Sequence, residues 1–401
     1  MKYNCQQPIP KGTSGKARGE RDAGMEGVII MQKDVLLKVK DPGSAMVLVL
    51  MLGFVLVEGC SISAHADATA RTVIISAFGF EAGSGEWRGE SGPFINALTT
   101  RTVISDRVPF CDIAFEGEIN GWPVTVVTMR IGKVHAAVCM QDLLRYYEGA
   151  AGIREVIWSG VAGITPMVGG MLDVAGNRRQ AETTVIGDVC ISHIAVDYDL
   201  RHSAIGEKDE MWLMRLPNES RTAVGSLDLA SELYTAAQRV AWPEVPAGPA
   251  LNITKYHGAK AVRKARAFDG TTCAEATSDN FWHSVQEDQW ARELLAQTIS
   301  QTLGTRVTPD GVLAITAMEQ TGWSNVLEMW TDATGEKIPF AYSRSASNYD
   351  HPWLDTNNRP AVSGAESLRA GMDAAGLEYA AITAALPILK MLQRRKLSIR
   401  H

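Results

Sequence analysis

Along the chain, short apolar runs rich in β-branched residues alternate with longer segments whose apolar positions recur every three or four residues, the mark of strands interleaved with helices. Residues 71–78 and 123–130 read as strands, 133–147 as a helix, 155–158 as a short buried strand, and 188–192 as a further strand of the same sheet. Residues 167–184, rich in glycine and arginine, read as an insertion. Helical spacing returns over 227–240, and Pro243 and Pro249 break it ahead of a loop carrying Lys255, Tyr256 and His257. Residues 289–303 are amphipathic and predict a surface helix. Two short apolar strands, 311–316 and 339–343, flank a helix over 318–330, and the alanine- and leucine-rich stretch 363–395 predicts one or two helices across the sheet. This order predicts one α/β domain, a three-layer αβα sandwich with a central mixed, mostly parallel twisted sheet.

The long apolar run, residues 45–57, follows Lys33, Lys38 and Lys40 and precedes Ala64-His65-Ala66. It is shorter than the roughly 20 residues of a membrane span and has the shape of a signal peptide cleaved before Asp67. A membrane anchor through 45–57 is the alternative. Residues 1–66 are read as a leader and 67–401 as the folded domain, exported to the periplasm or anchored facing it. A chain of 401 residues, 46% apolar and 21% charged, can bury a full core. Its formal charge of -6 argues against nucleic acid as a partner, which requires a basic surface. Outside the leader, Cys111, Cys139, Cys190 and Cys273 lack metal-ligand spacing, and Cys139 and Cys190 read as buried thiols. No bridge, metal or cofactor is assigned.

Three runs stand in fixed order: Ile131-Gly132-Lys133-Val134-His135-Ala136-Ala137, then Trp158-Ser159-Gly160-Val161-Ala162-Gly163-Ile164, then Ile186-Gly187-Asp188-Val189. Gly160 and Gly163 predict a turn at the end of a buried strand where the backbone approaches a ligand, because glycine carries no Cβ. The series resembles the nucleoside phosphorylase and nucleosidase superfamily, in particular the methylthioadenosine/adenosylhomocysteine nucleosidases. The later half resembles the purine nucleoside permease family, through Ala276-Thr277-Ser278-Asp279-Asn280-Phe281-Trp282, Gln286-Glu287-Asp288 and Ser343-Arg344-Ser345-Ala346-Ser347. The likeness spans residues 71 to 353.

That resemblance implies a phosphorylase/hydrolase-like fold and a purine nucleoside as ligand. Breaking its N-glycosidic bond requires an activated nucleophile, a stabilised ribose cation and a proton for the base. Glu81, the last residue of Ile75-Ser76-Ala77-Phe78-Gly79-Phe80-Glu81, matches the water-activating glutamate of the nucleosidases. Met318-Glu319 matches the pair that binds ribose, Phe281 and Trp282 the segment that stacks on the base, with core packing the alternative and the stronger one for Trp282, and Val161, Gly163 and Ser347 the remaining wall of the pocket. Where those nucleosidases carry an aspartate that protonates the purine, this chain has Asn348, an amide that hydrogen-bonds but delivers no proton. Asp350, two residues further along, is the candidate substitute acid. Val161 has no hydroxyl for phosphate, and Arg130 is the candidate for an anion, so water is the favoured nucleophile and phosphate the lesser partner. His193, Asp197 and Asp199 read as structural or rim residues.

The expected activity is therefore cleavage of a purine nucleoside by a homo-oligomer. The alternative is a non-catalytic nucleoside-binding component of uptake. A single apolar segment cannot line a transmembrane pathway, so any part in transport is indirect.

Overall fold

Twelve residues, Ile153–Ile164, form one strand through the centre of the molecule, and the rest of the fold is arranged along it. The computed structural model describes residues 70–168, 182–199, 202–203, 211–212, 222–280, 282–355, 360–363, 366–367 and 374–399. The leader, the membrane-anchor segment 45–57, Phe281 and most of the insertion 167–184 lie outside the described residues.

In chain order the strands are β1 (Arg71–Ser76), β2 (Gly79–Glu81), β3 (Trp87–Gly89), β4 (Arg101–Val103), β5 (Ile113–Ile119), β6 (Trp122–Thr128), β7 (Ile153–Ile164), β8 (Met167–Val168) and β9 (Glu182–Thr183). They continue as β10 (Val189–Ser192), β11 (Ile194–Asp197), β12 (His202–Ser203), β13 (Met211–Trp212), β14 (Thr222–Val224), β15 (Ala267–Asp269), β16 (Cys273–Thr277), β17 (Leu313–Ala317) and β18 (Phe340–Tyr349). The α-helices are α1 (Gly92–Ala97), α2 (Lys133–Tyr146), α3 (Leu227–Ala237), α4 (Ala247–His257), α5 (Val285–Leu303), α6 (Gln320–Thr334) and α7 (Ala374–Ile399).

The main sheet is mixed, with the order β14-β11-β16-β17-β7-β1-β6-β5-β4, and β18 joins it beside β7. The first half of β7 lies between β1 and β18, both parallel to it. Its last residues lie between β18 and the antiparallel β17. Changing neighbours along one strand forces a bend, and a bulge in β18 between Ala346 and Asn348 accommodates it.

Alternating residues of β1 enter opposite layers. Val73 and Ile75 pack with Ala136, Cys139, Met140, Leu143 and Leu144 of α2 and with Trp323 and Leu327 of α6. Ile74 packs with Phe94 and Ile95 of α1, Leu229 and Leu233 of α3, and Ile388 and Met391 of α7. The α2 set falls at helical spacing, and each buried Leu or Met contributes about 2 kcal/mol. The sandwich architecture expected from the alternating pattern is present.

Three local expectations need correction. β7 does not end at Trp158: Gly160 and Gly163 continue the strand, because β18 holds both of them extended and β17 pairs with Gly163 on the other edge. The segment with Lys255, Tyr256 and His257 is the end of α4, and Pro249 is accommodated because it sits in the helix's first turn. The cysteines pair as Cys111–Cys139 and Cys190–Cys273. The partners are 28 and 83 residues apart in sequence, so only tertiary packing brings them together.

Candidate active site

The strand ends of β1, β7, β17 and β18 converge where β7 changes neighbours, the position at which α/β sheets open to ligands. Four charged side chains meet there, all buried. Arg344 of β18 is 1% exposed and lies opposite Gly160 in the sheet. Its Nε donates to Glu275 Oε2 at 3.0 Å, its Nη2 to Glu319 Oε2 at 3.0 Å, and its Nη1 to the Val161 carbonyl at 3.2 Å. The guanidinium also lies 4.4 Å from the Trp158 ring centroid. Glu275 reaches it from β16 and Glu319 from the turn before α6, where Glu319 Oε1 also accepts from Gly132 N at 3.4 Å.

The fourth group is Glu90, 1% exposed, on the segment between β3 and α1. One carboxylate oxygen accepts the Ala77 N–H at 2.6 Å and the other the Val161 N–H at 2.6 Å. Three carboxyl groups thus surround one guanidinium in a dry environment, and the excess of negative charge favours retaining a proton. Burial pushes Glu90 up to about 7, Glu319 adding to the rise while Arg344 and the two backbone N–H groups oppose it. Burial likewise raises Glu275 against the pull of Arg344. A carboxyl that titrates near neutrality inside a cleft is suited to general-base work.

Glu81 does not belong to this cluster. It is exposed, at the tip of the β2–β3 hairpin, paired with Trp87. The hairpin from Gly79 to Gly89 loops out of the fold, and the chain returns so that Glu90, not Glu81, faces the Ala77 N–H at the end of β1. Val161 and Gly163, expected against the ligand, serve protein groups instead. Val161 supplies its N–H to Glu90 and its carbonyl to Arg344. A Cβ on Gly163 would lie 1.8 Å from Asp350 Oδ1, and one on Gly160 2.7 Å from both Arg344 Nη1 and Glu90 Oε1. The two glycines therefore make room for buried polar side chains.

Trp282 is a core residue, packed 5.5 Å from Tyr198 within the cluster around β11, β16 and α5. Met318 is half-buried beside Glu319. Ser347 Oγ lies 3.1 Å from the Ala162 carbonyl and 3.0 Å from Asn348 Oδ1, and Asn348 Nδ2 donates to the Tyr349 carbonyl at 3.2 Å. Asp350 is buried two residues further on. Ser347, Asn348 and Asp350 thus follow Arg344 along one strand and its exit.

Lys133, at the first turn of α2, ties the rim together. Its Nζ contacts Asp197 Oδ1 at 3.1 Å and Asp199 Oδ2 at 2.7 Å, and its backbone N donates to Asp279 Oδ1 at 2.9 Å. Asp199 in turn accepts from Ser278 Oγ at 2.6 Å and Asp279 N at 2.7 Å. Burial raises Asp199, but the bonds from Lys133, Ser278 and Asp279 outweigh it and hold the carboxyl below its ordinary range. Arg130 is exposed and bonded to Asp112 on the surface.

Glu90, Arg344, Glu275 and Lys133 carry the arrangement without having been assigned roles from sequence. Two of them had a readable signal. Arg344 is the lone charge in Phe340-Ala341-Tyr342-Ser343-Arg344-Ser345-Ala346, and Glu275 the lone charge in Cys273-Ala274-Glu275-Ala276-Thr277. Isolated opposite charges in two buried strands have to find each other.

Residues 108–254 match the family model described as "Phosphorylase superfamily". Among solved structures, the chain is similar to 5'-methylthioadenosine/S-adenosylhomocysteine nucleosidase from Neisseria meningitidis in complex with methylthio-immucillin-A, at 17% identity, covering 81% of this chain and 99% of that one, with a TM-score of 0.44. Futalosine hydrolase of Helicobacter pylori gives 17% identity, 81% and 98% coverage and a TM-score of 0.46. S-adenosylhomocysteine nucleosidase from Streptococcus pyogenes gives 13%, 82%, 98% and 0.47. No curated protein matches the chain.

Proposed function

We propose that this protein binds a purine nucleoside and hydrolyses its N-glycosidic bond. The observation that carries the reading is the buried convergence of Glu90, Glu319 and Arg344 at the strand ends. Ionised Glu90 takes a proton from a water whose oxygen attacks the anomeric carbon. Glu319, fixed by Arg344, accepts hydrogen bonds from two ribose hydroxyls, and its charge stabilises the ribose cation. The match of residues 108–254 to the Phosphorylase superfamily supports the reaction class. The resemblance of segments 276–282 and 343–347 to the purine nucleoside permeases supports a branch of that kind.

Water is preferred to phosphate because Arg344 is already engaged by Glu275, Glu319 and the Val161 carbonyl, and Arg130 by Asp112. The two disulfides support export to an oxidising compartment. Labelling of intact against lysed cells with a membrane-impermeant reagent tests that location.

Incubation with inosine and with adenosine, each with and without phosphate, tests the activity. Free base and free ribose should appear without phosphate. Product that forms only with phosphate would turn the reading to phosphorolysis, and affinity without product would refute cleavage.

A further inference from the structure

With an amide at 348, the departing base still needs a proton. Asp350, 1% exposed, leaves the end of β18 with its N–H bonded to the Ile164 carbonyl at 3.0 Å. Its Oδ1 accepts from Thr316 Oγ1 at 2.7 Å and occupies the space that a side chain on Gly163 would fill. Its Oδ2 is buried with no hydrogen-bond partner among the described residues. An ionised carboxylate so placed would be costly, whereas a neutral carboxylic acid retains one O–H to donate.

The surroundings agree. Asp288, in the first turn of α5, is a second buried carboxyl acting on Asp350, and its Oδ1 accepts from Thr165 Oγ1 at 2.6 Å. Burial of Asp350, with Asp288 adding to the rise, holds its proton well above the carboxylate range, and burial raises Asp288 as well. His351, Thr165 and Arg292 oppose the rise at Asp288. The ring of His283 sits beside the Tyr349 carbonyl, and burial pushes it down to about 4, so it is uncharged at neutral pH. Among the described residues, both of its nitrogens are buried without a bond of normal geometry. The Tyr256 hydroxyl, the remaining titratable neighbour, is engaged by the His351 carbonyl and Ser367. The Tyr349 carbonyl beside the His283 ring also accepts from Asn348 Nδ2, and Asp350 is the next residue along the chain.

We propose that Asp350 donates the proton to the departing purine, taking the role that Asn348 cannot fill. The inference rests on the hydrolysis reading above. As the bond between the anomeric carbon and N9 breaks, its electron pair passes into the purine and the Asp350 proton moves to N7. The attacking water gives its own proton to Glu90. On product release Glu90 loses that proton to solvent and Asp350 regains one, so nothing but water is consumed.

The test compares wild type, Asp350→Asn and the double variant Asp350→Asn with Asn348→Asp on two substrates. One is inosine. The other is 4-nitrophenyl β-D-ribofuranoside, whose leaving group departs as a stabilised phenolate without an acid. Asp350→Asn should lower turnover of inosine by about 10²- to 10⁴-fold, the usual worth of a general acid, and leave the nitrophenyl substrate within about threefold. The double variant should recover inosine turnover by about tenfold or more. Unchanged inosine turnover in Asp350→Asn, or equal losses on both substrates, would overturn the assignment. Wild type that cleaves neither substrate would overturn the hydrolysis reading itself, and this inference with it.

Discussion

Replacing Glu90 by Gln removes the ionisable group and keeps the shape. In the folded protein Glu90 titrates at about 7 against an ordinary value of 4.5. The folded state therefore holds this proton more tightly than the unfolded chain. The sign follows: below 4.5 the group is protonated in both states and costs nothing, between 4.5 and 7 a penalty on the folded state grows, and above 7 it is constant. At 1.36 kcal/mol per pH unit, that gap corresponds to about 3 kcal/mol of stability lost by wild type at alkaline pH. Glu90→Gln has a fixed cost, since its amide sets a donor against the Ala77 or Val161 N–H, but it lacks the pH-dependent one. Urea unfolding of both proteins at acidic and alkaline pH should therefore show the difference between them shifting by about 3 kcal/mol in favour of the variant as pH rises. A difference that stays flat would refute the reasoning. Wild-type kcat/KM should fall about tenfold per pH unit below 7, as the base becomes protonated.

Glu81→Ala should leave turnover within about twofold, because the side chain stands in solvent on a hairpin; steady-state rates on inosine check it. Gly163→Ala should cost on the order of 3 kcal/mol in a urea melt, since the new methyl overlaps Asp350 Oδ1 and Thr316 Oγ1. Lys133→Met strips the counter-charge from Asp197 and Asp199 and should cost on the order of 3 kcal/mol at neutral pH, with KM rising more than kcat falls; the loss should shrink at acid pH, as Asp199, held below its ordinary range in wild type, takes up a proton.

The layers of this fold were legible because apolar periodicity is a local property. The i, i+3, i+4 spacing of Ala136, Cys139, Met140, Leu143 and Leu144 and the alternation through Val73, Ile74 and Ile75 can be read a few residues at a time. The site was legible only where one residue's place follows from its own strand, as with Glu319 just past β17 and Asn348 near the end of β18. Glu90 was hidden because the first carboxylate after β1 is Glu81, and the pairing of Gly79 with Gly89 that loops out the hairpin depends on backbone register. The cystines were hidden for a related reason: Cys190 and Cys273 belong to strands far apart in the chain. Trp282, open to two readings from sequence, belongs to the core, which claims an aromatic residue from a ligand-binding motif.

The most direct measurement is release of hypoxanthine from inosine in phosphate-free buffer by wild type and by Glu90→Gln, with inosine affinity measured on the same samples. The account expects steady release by wild type, and from the variant a rate lower by about 10²-fold or more with affinity retained. Equal release from the two proteins would contradict it.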